Sequence, residues 1–260
     1  MITTQEEAAG SPGLSANALK AIAVAAMFID HAAHALVAPT TPQNLIIYGI
    51  MRFIGRITAP VMFYFIAEGY HYTRDKNKYT LRLAVFAAIS YLPFVFFISG
   101  GLPKGKDFFA FDVIYTLLIG LLALRAYREI SNRWMRTIAI IGLIALSVPG
   151  DWGSLAVIYI LAFDYFRGSF RNQALAYLVI TALTGAADYL TPIYNALTGR
   201  FVGSQSVAMA LINLGRFIPI GLLYFYNGKK GPGGKWAQWG FYIVYPLHLI
   251  ALCIIAGKLM

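Results

Sequence analysis

A single cysteine, Cys253, excludes an internal disulfide, a cysteine-built zinc site and a thiol relay. It lies in an apolar run and reads as a small core residue. Charge is almost as scarce. Only 12% of the 260 residues are charged, 11 of them acidic, against 59% hydrophobic, a balance too apolar for a soluble globule. No internal repeat and no Walker-type phosphate-loop spacing occurs; the glycine- and lysine-rich stretch 228–234 reads as a plain flexible linker. Residues 1–17 are polar, carry Glu6 and Glu7 and lack a basic n-region, so no cleaved signal peptide is expected there.

What the chain does have is apolar runs of membrane-spanning length, recurring from residue 18 to the C-terminus. They predict an all-α polytopic membrane protein, a bundle of about nine transmembrane helices enclosing a polar intramembrane cavity. The expected spans are 18–38, 44–72, 79–98, 111–128, 134–149, 152–166, 171–190, 205–226 and 239–257. The fifth and sixth, joined by the tight Pro149-Gly150-Asp151-Trp152-Gly153 link, form a helical hairpin. Residues 1–17 are then a cytoplasmic segment and 18–260 one membrane domain.

The net charge of +10 does not point to nucleic acid, because the cations are dispersed. Thirteen of the 21 basic residues fall in four stretches: Arg74, Lys76, Lys78 and Arg82; Arg125, Arg128, Arg133 and Arg136; Arg167 and Arg171; Lys229, Lys230 and Lys235. The intervening loops carry only Lys104, Lys106 and Arg200. This alternation is the positive-inside pattern, with the N-terminus and the basic loops cytoplasmic in an inner membrane.

Ionisable groups inside the apolar runs are where chemistry must lie, since each costs at least about 2.5 kcal/mol in lipid. The densest set is on the first helix. Asp30 and His34 stand four apart and share a face. Lys20 and His31 stand eleven apart, nearly a whole number of turns, so they point the same way roughly 16 Å apart along the axis. A pair that only packed this helix to a neighbour would need neither His31 nor an aligned Lys20. The second run holds Arg52 and Arg56, again four apart, and Gly55 and Pro60 predict a break within it. Further candidates are Glu68, Asp112 with Tyr115, Asp164, Asp188, Arg216 and His248. Three arginines at depth need anions, and Asp30, Asp112, Asp188 and Glu68 are the carboxylates on hand. Glu68 reads equally as an orienter of His31, a counter-ion to Arg56 or an interface residue. His71 reads as surface, and His248 as a packing residue on a helix bent by Pro246. No metal site is expected.

Several segments resemble the TraX family, named for the conjugative pilin acetylation protein. They are Leu19-Lys-Ala-Ile-Ala with Met27-Phe-Ile-Asp-His31, Met51-Arg-Phe-Ile-Gly-Arg56-Ile-Thr-Ala-Pro60 and Ala67-Glu-Gly-Tyr-His-Tyr-Thr-Arg74. Tyr79-Thr-Leu-Arg-Leu83, Asp151-Trp-Gly153, Tyr226-Asn-Gly-Lys-Lys-Gly231 and Phe241-Tyr-Ile-Val-Tyr-Pro-Leu-His-Leu249 extend the match from the first span to the last. That family is similar in turn to a superfamily of transmembrane acyltransferases, including bacterial sugar O-acyltransferases and the lysosomal heparan glucosaminide N-acetyltransferase. In the O-acyltransferases a basic residue precedes the key histidine by eleven positions. The resemblance therefore implies that His31 is catalytic, that Lys20 is the basic partner and that Arg52 and Arg56 are the paired arginines of the second helix. Asp112 stands where the resemblance implies an asparagine.

The resemblance implies an acetyl-CoA-dependent acetyltransferase, N-acetyl ahead of O-acetyl, with acetyl-CoA as donor substrate. The acceptor is a pilin N-terminus, an amino sugar or a polysaccharide hydroxyl. Lys20, with loop cations such as Arg74, Arg125 or Lys229, holds the CoA phosphates. His31, with Asp30 and Glu68 as further catalytic candidates, acts as base or carries the acetyl group. Arg52 and Arg56 stabilise the thioester oxyanion or bind an acidic part of the acceptor. The rival expectation from a different class is a proton-coupled transporter using Asp30, His31 and Glu68, for which broken helices are also typical.

The charge asymmetry makes one direct prediction. With Cys253→Ser as background, single cysteines placed at 76 or 230 should resist an impermeant maleimide applied to intact cells. Labelling from outside at either position would overturn the orientation.

Overall fold

The computed structural model describes residues 13–258. The cytoplasmic segment expected at 1–17 lies largely outside the described residues. Among the described residues the structure is helical throughout, with isolated β-bridges but no strands. Six stretches are long and apolar enough to cross a membrane: Ala16–Leu36, Pro42–Tyr72, Lys76–Ser99, Phe170–Leu197, Ser204–Tyr224 and Trp236–Ile255. The other three expected spans form helices of 17, 15 and 13 residues. At a rise of 1.5 Å per residue these reach about 25, 22 and 20 Å, short of a hydrocarbon core of about 30 Å. The chain is thus a multi-pass membrane protein, and its described residues fall into two compact units.

Among the described residues the first unit comprises 13–61 and 168–230. Helix α1 (Ala16–Leu36) begins at Ser15, whose hydroxyl accepts from the Ala18 amide at 3.2 Å. The amides of Ala16 and Asn17, which a helix start leaves without intrahelical partners, donate to the Lys229 and Lys230 carbonyls at 2.9 and 3.0 Å. The stretch read as a free linker is, at these residues, docked on the first turn of α1.

Helix α2 (Pro42–Gly55) starts with proline at its first position, where no amide is needed, and stops at Gly55. After the turn at Arg56 and Ile57 the chain resumes as α3 (Thr58–Tyr72). This is the expected break. Helix α8 (Phe170–Leu197) carries Pro192 near its end. The run expected as one span at 205–226 is also interrupted: α9 (Ser204–Leu214) passes through a 3-10 turn, Gly215–Phe217, into α10 (Ile218–Tyr224). Gly215 and Pro219 supply the same glycine-then-proline signal as Gly55 and Pro60. Both breaks read Gly-Arg.

Among the described residues the second unit comprises 62–167 and 231–258. Its helices are α4 (Lys76–Ser99), α5 (Val113–Glu129), α6 (Arg133–Ser147), α7 (Gly153–Tyr165) and α11 (Gly234–Ile255). Asp75, Asp112 and Asn132 cap α4, α5 and α6 through their side chains, each accepting an amide three residues on. The α6–α7 hairpin is pinned at its tip. The Phe111 amide donates to the Pro149 carbonyl, the Asp151 amide to the Phe111 carbonyl, and Thr116 Oγ1 to the Asp151 carbonyl at 2.8 Å. Ile119, Ala123 and Val157 form the apolar centre where α5 meets α7. Helices α4 and α11 pack through stacked Phe86 and Tyr242 rings, 5.1 Å apart.

Gly150 in the hairpin has no room for a side chain: an added methyl would lie 2.6 Å from Thr116 Cγ2 and 3.0 Å from the Tyr115 ring. Gly150→Ala should therefore lower stability by about 1–3 kcal/mol, read as a drop in the thermal unfolding midpoint in detergent. An unchanged midpoint would mean that the hairpin tip yields freely.

Candidate functional site

In the first unit the candidates gather on α1 and on the breaks. Lys20, on the first turns of α1, is within electrostatic reach of the Lys230 ammonium, because the 225–230 segment is tied to the same helix end. A helix N-terminus already favours anions. Two lysines added there make an electropositive end from which the helix runs on to His31.

Farther along α1, Asp30 Oδ2 accepts from Arg52 Nη1. The pair is mostly shielded, with 20% and 16% of the arginine and aspartate side chains exposed. Gly55 makes it possible: the Asp30 carboxylate occupies the space where a Cβ on Gly55 would be. Thr58 Oγ1 also donates to the Ala23 carbonyl at 2.9 Å, fixing α3's start against α1. Asp30, His31 and Arg52 are thus on helices held together at this level. His31 is half-buried and His34 exposed.

The second break is clamped by α8. Tyr177 donates its hydroxyl proton to the Arg216 carbonyl, and Tyr189 donates to the Asn213 carbonyl at 3.1 Å. Asn213 in turn donates to Asp188 Oδ2 at 2.8 Å. At Gly215 a Cβ would overlap the Phe53 carbonyl and stand 3.2 Å from Arg56 Cβ. The two breaks are therefore in backbone contact, bringing Arg56 and Arg216 to one level.

The second unit holds Glu68, Arg74, Asp112, Tyr115, Arg125 and His248. Buried Glu68 accepts from Arg167 Nε at 3.0 Å, a partner the sequence did not single out. Arg74 and Arg125 line one open cavity of about 520 Å³ with Asp75, Lys76, Asn77 and Glu129. Arg125 is spoken for there: its guanidinium reaches both Glu129 oxygens and, at 3.1 Å, Thr80 Oγ1. The Lys78 amide, bonded to Asp75 Oδ1 at 2.9 Å, holds that carboxyl below its usual range. Asp112 and Tyr115 meet as a helix cap, the aspartate accepting the Tyr115 amide at 2.9 Å. His248 is buried, bonds through Nδ1 to the Val244 carbonyl at 3.1 Å and lies against the Tyr245 ring.

Sequence reasoning named Asp164 among the buried charges but missed both of its partners in the second unit. Fully buried Asp164 binds His71 Nε2 at 2.6 Å and Arg128 Nε at 2.7 Å. His71, expected as plain surface, is half of a carboxylate–histidine pair. An aspartate in an otherwise apolar helix needs a partner, and that need was the signal that could have turned attention to the flanking His71 and Arg128. Among the described residues no group of three or more His, Cys, Asp or Glu is placed to hold a metal ion.

A double-mutant cycle tests the Asp30–Arg52 pair. Asp30→Leu and Arg52→Leu should each destabilise the protein in detergent, and the double variant should lose less than their sum. A coupling of about 1–3 kcal/mol is expected from denaturation curves. Strict additivity would show that the two side chains act independently.

The matches to known proteins cover almost the whole chain. The family model described as "TraX protein" matches residues 15–256. The "Probable fimbrial assembly protein FimC, serogroup H1" of Dichelobacter nodosus is 30% identical over 245 residues, covering 92% of this chain and 94% of that protein. No solved structure gives a significant match. The chain belongs to the TraX family.

Proposed function

We propose that the protein is an acetyl-CoA-dependent acetyltransferase of the inner membrane, with its N-terminus cytoplasmic and a pilin-type amine as its acceptor. The observation that carries this reading is the arrangement of α1. Lysines 20 and 230 mark its electropositive end, and His31 follows on the face of Lys20, roughly 16 Å along. Beside it Asp30 is engaged by Arg52 of the paired-arginine helix. An extended pantetheine arm covers such a distance, so phosphates held at Lys20 would leave the thioester beside His31 in a polar cavity. His31 then removes the proton from the attacking amine as the carbonyl carbon is attacked, and the thiolate of CoA leaves. Alternatively its ring nitrogen takes the acetyl group first and passes it on. Arg52 and Arg56 offer the donors that a tetrahedral oxyanion requires. The acceptor class draws on the fimbrial assembly name of the relative and on the TraX resemblance; the wider acyltransferase kinship is part of the same proposal.

A transporter is the second reading, and the two interrupted helices favour it. The two readings part on one measurement, since a transporter would neither hydrolyse acetyl-CoA nor gain an acetyl group from it.

Under the acetyltransferase reading Lys20 and His31 must fail differently. His31→Ala should abolish transfer with acetyl-CoA binding nearly intact, because the base acts in the transition state. Lys20→Ala should weaken binding by about 1.5–3 kcal/mol, with a smaller loss at saturating donor. One alanine inserted between 21 and 29 rotates Lys20 by about 100° against His31 and should be as damaging as losing the histidine. Calorimetry with a turnover assay reads all three, and full activity in His31→Ala would end the proposal.

A further inference from the structure

We infer that His71, Asp164 and Arg128 form a second proton-transfer site, at the end of the second unit where α3 stops, and that it hydrolyses small carboxylic esters bearing an anionic group. His71 is its base, Asp164 positions the ring, and Arg128 acts through Asp164. The inference does not depend on the acetyl-transfer reading, whose base lies on α1.

The first support is the order of the hydrogen bonds. Asp164, fully buried on α7, accepts at Oδ2 from Arg128 Nε at 2.7 Å, and its carbonyl accepts from Arg128 Nη2 at 3.3 Å. Its Oδ1 lies 2.6 Å from His71 Nε2. A carboxylate has no hydrogen to give, so Nε2 carries the ring proton and Nδ1 of the neutral ring keeps its lone pair. Among the described residues Nδ1 has no hydrogen-bond partner. The second support is exposure. His71 leaves 25% of its side chain exposed and Asp164 none. Charge balance at this carboxylate needs only Arg128. A histidine that adds a second donor and leaves its other nitrogen unbonded is arranged as a general base is.

The third support is a cation-lined cavity one ring away. The His71 ring meets Tyr70 edge-on, with centroids 5.2 Å apart. The Lys76 ammonium sits 4.0 Å over that Tyr70 ring and donates to its hydroxyl at 2.9 Å. Lys76 in turn lines the open cavity of about 520 Å³ together with Arg74 and Arg125. Arg125 is held by Glu129, whereas Arg74, three residues after His71, has no carboxylate partner among the described residues. An anion at Arg74 and Lys76 and a carbonyl at His71 are therefore two short steps apart, the span of a small ester acid and not of a long carrier. In the reaction Nδ1 takes a proton from water as the water oxygen bonds to the carbonyl carbon. The ester C–O bond then breaks and the proton on Nδ1 passes to the leaving oxygen, so that one ester and one water give one carboxylic acid and one alcohol.

The probe is para-acetoxybenzoate, an aryl acetate with a carboxylate across its ring, compared with its neutral methyl ester. Hydrolysis by the purified full chain in phosphatidylcholine nanodiscs is followed against empty nanodiscs. The carboxylate ester should show the higher kcat/KM relative to its own uncatalysed rate. His71→Gln, whose amide can still donate to Asp164, should lower kcat by about a hundredfold or more and remove the acid limb of the pH profile. Asp164→Asn should lower kcat by about tenfold or more with KM little changed. Arg74→Gln should raise KM for the carboxylate ester by about tenfold or more. A measurement on the wild-type chain guards against misfolded variants: diethyl pyrocarbonate should carbethoxylate His71 and stop turnover, and hydroxylamine should restore it. Four results would each overturn the inference: no turnover above empty nanodiscs, wild-type kcat in His71→Gln, equal relative kcat/KM for the two esters, or turnover that survives diethyl pyrocarbonate.

Discussion

An arginine inside a chain bathed in lipid has to meet its anion within the protein, and much of the internal order here follows from where each one does so. Water cannot supply the missing charge, and unpaired groups of this kind cost several kcal/mol. Within the apolar runs Arg52 finds Asp30, and at the basic helix ends Arg128 finds Asp164, Arg167 finds Glu68 and Arg125 finds Glu129. The first three pairs are cross-links. Asp30 ties α1 to α2, Asp164 ties α7 to both α3 and α5, and Glu68 ties α3 to the segment after α7. Between lipid-solvated helices burial adds little, because lipid tails are as apolar as leucine, so such polar ties and close backbone packing carry the specificity.

Close packing is the work of a few glycines. The Asp30 carboxylate seats over Gly55, and the Phe53 carbonyl seats over Gly215. The same glycines end their helices, so approach and interruption arise from one residue at each place. An interrupted helix exposes carbonyls that hydrocarbon cannot satisfy. Tyrosine hydroxyls from α8 meet that demand at Asn213 and Arg216. The arginine that follows each glycine is thereby carried on a backbone with fixed ends.

The helical class, the membrane assignment, the first break and the candidate residues of α1 and α2 were legible because each is local. Hydrophobic length, glycine with proline, and spacings of four and eleven depend on a single helix. The Asp30–Arg52 pair was half legible: the sequence showed arginines in need of anions and named Asp30 among the carboxylates, but the partner is set by the contact of two helices. What stayed hidden was long-range. The pairs Glu68–Arg167 and His71–Asp164 join residues 99 and 93 positions apart. Nothing in the local pattern around Lys229 and Lys230 says that their carbonyls receive the first amides of α1. The second break is signalled locally by Gly215 and Pro219, although Arg216 between them reads first as a buried charge rather than as part of a turn.

The two breaks also bear on whether the first unit is a transporter core. Inverted-repeat transporters set two interrupted helices antiparallel, so that their half-helix ends point at a shared site from opposite sides. On the positive-inside expectation both interrupted helices run in the same direction. Each leaves a loop poor in cations, around Thr40 or Arg200, and runs towards a rich one, at Arg74 to Lys78 or at Lys229 and Lys230. The halves are unequal as well: α2 and α3 have 14 and 15 residues, α9 and α10 have 11 and 7. Two parallel, unequal helices do not exchange roles under a rocking motion as an inverted pair does. Under the proposed acetyl-transfer reading they suit a fixed constellation held beside α1, because group transfer needs the reacting atoms in register to well under an ångström while the charge between them changes.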